Sequence, residues 1–101
     1  MSRIITIFRS RLNPDAQAAY MPVTECMTKL AQTMPGYIDA KTFSAVDGER
    51  VTIVTFADRA SHNAWRDHPE HRSAQVRGRQ EFYQSYSIQV GEETYCNEFK
   101  Q

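Results

Sequence analysis

One stretch of the chain, His62-Asn63-Ala64-Trp65-Arg66-Asp67-His68-Pro69-Glu70-His71-Arg72, gathers all three histidines and the single tryptophan. An imidazole can take or give a proton near neutral pH. An indole offers a broad apolar face with one N–H donor. On a helical wheel His71, Ala74, Gln75 and Gly78 share a face, and the small Ala74 and Gly78 let that face pack closely or border a cavity. Ala60 and Ala64 mark the buried side of the preceding turns, with Trp65 beside them. Trp65 and His71 are therefore expected to look into one space between helix and sheet. Each also has a plain structural use, Trp65 as core and His71 as a bridge between elements. His62 and His68 are expected in solvent, or for His68 in the cap before Pro69. A metal site needs ligands converging from rigid positions with carboxylate or thiolate support. Pro69 interrupts the helix between His68 and His71, and no HExxH spacing exists, so no metal is expected.

Further along, Tyr83 and Tyr86 stand three apart in an extended segment, so their side chains should point to opposite faces. Phe82, Tyr86, Ile88 and Val90 would share one face, and Tyr83, Ser85 and Ser87 the other. One phenol is then expected near a pocket, where it could hydrogen-bond a substrate oxygen; a structural aromatic is the equal alternative. Arg9 and Arg11 share a face of the first strand, where arginine could pair an anionic substrate, although solvation is its commoner fate.

The elements that must position these groups are legible. Residues 3–12 (RIITIFRSRL) are β-branched and aromatic and read as a strand. Asn13-Pro14 reads as N-cap and first residue of a helix. Its stripe of Ala16, Tyr20, Val23, Met27, Leu30 and Met34 follows at three- and four-residue spacing. Pro22 should kink that helix, and Pro35-Gly36 should end it. Residues 37–46 and 50–57 read as strands joined by a turn at Asp47-Gly48. Asp58 or Ser61 could cap a second helical region, split by Pro69 into residues 60–67 and 69–79. Residues 82–90 form a last strand, before a weakly patterned tail.

This β-α-β-β-α-β order predicts one α+β domain over residues 1–101, ferredoxin-like, with a four-stranded antiparallel sheet, a core at about 3–92 and a tail at 93–101. Helices should cover one face. Yet strands one and three are apolar on both sides, with Ile5 and Ile7 opposed to Ile4 and Phe8. A sheet with one wet face should alternate cleanly. A second copy of the chain closing over the open face is the economical answer; the other is that Thr6, Thr52 and Thr55 make a merely less polar open face.

A formal net charge of +0 and a pI near 6.8 supply no long-range field for nucleic acid or anionic lipid. No run suits a signal peptide or a membrane span. Cys26 and Cys96 lie far apart and read as reduced thiols, so a cytoplasmic location is expected. There is no GxSxG elbow, phosphate-binding loop or dinucleotide fingerprint. Catalysis would rest on a shaped apolar pocket and a few polar groups.

Several features together resemble antibiotic biosynthesis monooxygenase domains. They are Met34-Pro35-Gly36-Tyr37, the Gly48 hairpin, Val54-Thr55-Phe56, Trp65-x-x-x-x-x-His71-Arg72-x-Ala74-Gln75-x-x-Gly78-Arg79 and Phe82-Tyr83-x-x-Tyr86. The resemblance spans residues 3–92 and implies a dimeric α/β barrel that oxygenates small hydroxylated aromatic or quinol-type substrates without flavin, metal or haem. It implies Trp65 as the ring-packing residue, His71 as base or hydrogen-bond partner, and Tyr83, Tyr86, Arg9 and Arg72 as substrate-binding groups. Some active members carry an asparagine on the first strand, and Ile4–Phe8 has none. The haem-degrading branch places a histidine ten residues after its tryptophan; Gln75 stands there, so haem breakdown is not implied. Two other readings remain: a non-catalytic homodimer that binds a small apolar or aromatic ligand, and an isomerase or decarboxylase that uses His71 as its base.

Overall fold

In a computed structural model, which describes residues 2–101, the β-branched run Ile4–Leu12 forms β1 at the centre of the sheet. There follow α1 (Gln17–Gln32), β2 (Tyr37–Ser44), β3 (Arg50–Phe56), α2 (Arg59–Arg66), α3 (Pro69–Arg77), a π turn (Gly78–Phe82) and β4 (Tyr83–Glu92). The four strands lie in the order β2-β3-β1-β4, every pair antiparallel. This is the expected α+β ferredoxin-like arrangement.

Strand register sorts the side chains. Thr6 pairs with Val54 on one side and Val90 on the other, and Phe8 with Thr52 and Ile88. These residues border the cavities under the helices, so the even-numbered face of β1 is the helix face. Ile5 and Ile7, beside Thr55 and Ile53, alternate to the other face. Among the described residues no helix covers that face, and its centre is half-buried.

The helix face is packed at its two ends. Ala16, Tyr20 and Phe82 form one buried cluster; Ala31, Phe56 and Trp65 form the other. Burying an aromatic side chain in such a cluster stabilises the fold by roughly 1.5–3 kcal/mol.

The start of α1 departs from expectation. The Ala16 N–H donates to the Asn13 carbonyl at 3.0 Å, closing a β-turn with Pro14 at its second position. The helix begins only at Gln17, and Ala16 caps it without a side-chain bond. The Asn13 N–H donates instead to the Phe82 carbonyl at 2.8 Å, tying this corner to the start of β4. Pro22 lies inside the helix, which continues to Gln32. Gly36 then turns the chain at φ +79°, and a Cβ there would lie 2.5 Å from the Cβ of Ser61. Only glycine is comfortable at such a backbone angle and approach.

Candidate functional site

The Asp58 carboxylate accepts from the Ser61 N–H at 2.8 Å and starts α2. That bond is the main cause holding its pKa below the usual aspartate value. From this start α2 turns His62 and Trp65, three residues apart, toward the sheet, and both are buried. At Asp67 the helix stops. The His68 Nδ1 accepts from the Glu70 N–H at 3.2 Å, and Pro69 opens α3, as the sequence suggested.

The break folds His71 back onto Trp65. Their rings stack at 4.0 Å between centroids, 11° from parallel, and the His71 Nδ1 lies 3.0 Å from the Trp65 carbonyl oxygen. A carbonyl only accepts, so Nδ1 carries the proton and the neutral ring keeps its lone pair on Nε2. Burial lowers the His71 pKa, the bond to the Trp65 carbonyl acts in the opposite direction, and His68 adds to the lowering. Burial also leads the lowering at His62, helped by Arg66 and Arg59. Both imidazoles are thus held neutral at neutral pH.

Between α1, α3 and the sheet the core opens into a hollow with two lobes. One, of about 210 Å³, is bordered by Met27, His71, Gln75, Arg79, Tyr83 and Tyr86. The other, of about 160 Å³, is bordered by Val54, Trp65, His71, Gln75, Ile88 and Val90. His71, Gln75 and Ile88 border both. The walls are mostly apolar, with a few polar groups converging, as small-molecule sites commonly are.

Tyr83 and Tyr86 correct the parity argument. Leu12 pairs with Tyr83 but Arg11 with Ser85, so Gln84 is an extra residue in β4. Such a bulge shifts the alternation by one. Both phenol rings consequently lie against Phe8, at 5.5 and 5.6 Å, and 5.7 Å from each other. Burial first, then the neighbouring Tyr20, pushes the Tyr83 pKa far up, so its phenol stays protonated. Gly78 makes room for it: a Cβ there would lie 2.5 Å from the Tyr83 Cε2.

Two proposed binding residues do not join this group. Arg9 belongs to the opposite face of the sheet and pairs with Glu49 at 2.7 Å. Arg72 faces solvent, 68% exposed, 3.7 Å from Asp67. Arg79 and Gln75 border the cavity in their stead. Their signal was the spacing His71, Gln75, Arg79, one helical face at four-residue steps. Among the described residues no three His, Cys, Asp or Glu side chains gather as a metal site.

Comparison with known proteins agrees with this architecture. The model of the antibiotic biosynthesis monooxygenase family matches residues 3–77. The uncharacterized protein YqjZ of Bacillus subtilis (strain 168) is 30% identical over 81 residues, 80% of this chain and 71% of YqjZ. The structure of Rv0793 from Mycobacterium tuberculosis is similar with a TM-score of 0.81 at 18% identity, covering 98% of this chain and 100% of that one. A mutant of SnoaB, a cofactor-independent oxygenase from Streptomyces nogalater, is similar with a TM-score of 0.80 at 11% identity, covering 95% and 97%. At these identities the two structures speak for the fold.

Proposed function

Given that the chain belongs to the antibiotic biosynthesis monooxygenase family, we propose that it is a cofactor-independent monooxygenase of small hydroxylated aromatic or quinol-type substrates. The observation that carries this reading is the Trp65–His71 stack, which puts a half-buried, neutral imidazole at the junction of two apolar lobes.

A phenolic ring packs against the wall beside Trp65 and gives its proton to the His71 Nε2. The Nδ1–H bond to the Trp65 carbonyl holds the imidazole in place and stabilises the imidazolium that forms. Protonated Tyr83 and its neighbour Tyr86 donate hydrogen bonds to the substrate oxygens. The deprotonated ring is electron-rich enough to reduce dioxygen itself. In the net reaction a ring CH2, or the ring carbon of its phenol tautomer, becomes C=O. Two C–H bonds of the CH2, or one C–H and the O–H of the phenol tautomer, break with the O–O bond; one oxygen atom becomes the carbonyl oxygen on that carbon, and the other leaves with both hydrogens as water. The substrate supplies all four electrons, so no separate reductant is required.

The reading includes a homodimer. Ile5, Ile7, Val51 and Ile53 make a half-buried apolar patch on the uncovered sheet face, rimmed by the Arg9–Glu49 and Arg11–Asp47 pairs. A second copy laid face to face would bury this patch, and a stable interface of this kind removes ~800 Å² from each partner. Cys26 and Cys96 are both free thiols, which supports a reducing, cytoplasmic setting. No helix of the described residues is long and apolar enough to cross a membrane.

Oxygen uptake on mixing the protein with a panel of quinols and anthrone-like phenols tests the reaction. His71→Ala should lower uptake by roughly 100-fold or more, as loss of a general base does, and Trp65→Phe by less. Ligand binding without uptake, or uptake that His71→Ala leaves intact, would sink the reading. The first result would favour a non-catalytic binder.

A further inference from the structure

Two arginines border the cavity, Arg66 and Arg79, and among the described residues only Arg66 has a carboxylate partner. Arg9, Arg11, Arg59, Arg66, Arg72 and Arg77 each lie within 4.0 Å of a carboxylate. Arg77, two residues away, already holds Glu81 at 2.9 Å, so the nearby acid is taken. Arg79 has no such pair among the described residues, and it borders the larger lobe. The residues bordering the two lobes include Arg79, Arg66 and two histidines but no Asp or Glu. Arg66 is held by Asp67 at 3.0 Å, which leaves Arg79 as the uncommitted charge.

We propose that Arg79 makes this cavity selective for aromatic substrates that carry a carboxylate, with the ring toward Trp65 and His71 and the carboxylate at the Arg79 end. This rests on the cavity being the substrate site, and it names the class of substrate that site takes. Arginine presents a planar fork of donors that matches a carboxylate. The Gln75 amide, one helical turn before Arg79, and the phenols of Tyr83 and Tyr86 add neutral donors on the same wall. Arg79 is an exposed residue at the rim, so its pull is modest and falls with salt. It would act on recognition and orientation of the ring before the chemistry, as a specificity residue.

The test is a pair of isosteric ligands, naphthoate and naphthamide, titrated against the Trp65 fluorescence of the intact protein. The wild type should prefer the acid, and added salt should erode that preference. Arg79→Gln should weaken naphthoate binding about five-fold and leave naphthamide unchanged, with Arg79→Lys between. Equal weakening of both ligands would mean that Arg79 only packs, and no change with either, or no preference in the wild type, would overturn the proposal. Circular dichroism of each variant separates a folding defect from a binding one. The titration needs no turnover, so a failed oxygen-uptake assay with intact acid preference would remove the monooxygenase reading and leave this one standing.

Discussion

Along β1, Ile4, Thr6, Phe8 and Ser10 face the helices while Ile5, Ile7, Arg9 and Arg11 face the open side, so a single strand samples both faces of the sheet. Toward the helices, the ends are closed: Ile4 is 2% exposed and Ser10 3%. The middle, at Thr6 and Phe8, is left hollow. Toward the open side the order is reversed, with an apolar centre that no helix of the described residues covers and ion pairs at the rim. One face closes around a hollow under the helices; the other leaves its apolar centre open.

The comparison breaks first at Ile7. Ile7→Glu places a charge in the middle of the open face, where burying it unpaired costs several kcal/mol. Sedimentation should show a dimer for the wild type and a monomer for the variant, with the helix-face fold kept by circular dichroism. A monomeric wild type, or a dimeric Ile7→Glu, would remove the role given to this face.

Gly78→Ala acts on the other face. The added methyl meets the Tyr83 ring, and overpacking of this kind costs about 1–3 kcal/mol. Thermal melting should register that loss, together with weaker ligand binding because Tyr83 is displaced from the cavity wall. An unchanged melting temperature would show that the ring has room to move.

The smallest effect is with pH. His71 and His62 have folded-state pKa values below the ordinary 6.5, chiefly through burial. Protonation therefore favours the unfolded chain, and the stability they contribute is present above pH 6.5 and lost as pH falls through their lowered values. Melting temperature should decline across that acidic range, and His71→Gln should flatten part of the decline. A profile that the substitution leaves untouched would mean that His71 is not held in its neutral form.

The sequence alone determined the order of elements, the hairpin at Asp47-Gly48, a cap at Asp58 or Ser61 and the division of the second helical region at Pro69. These are short-range matters, set by β-branching, by a side-chain acceptor near a helix start and by a ring that cannot donate a hydrogen bond. The same local logic misplaced the start of α1, because residues 13–16 close a β-turn, with Asn13 tied to Phe82, 69 residues later, and the helix begins only at Gln17. It placed Trp65 and His71 in one space, from the small residues that mark the buried side of each helical piece, but their stacking depends on how α3 folds back across α2. Only the tertiary structure decided that Tyr83 and Tyr86 share a wall, because the bulge at Gln84 exists only in pairing with β1. It also decided among the arginines. Arg9, Arg72 and Arg79 are alike in sequence, and what distinguishes them is which face of which element meets a carboxylate, solvent or the cavity.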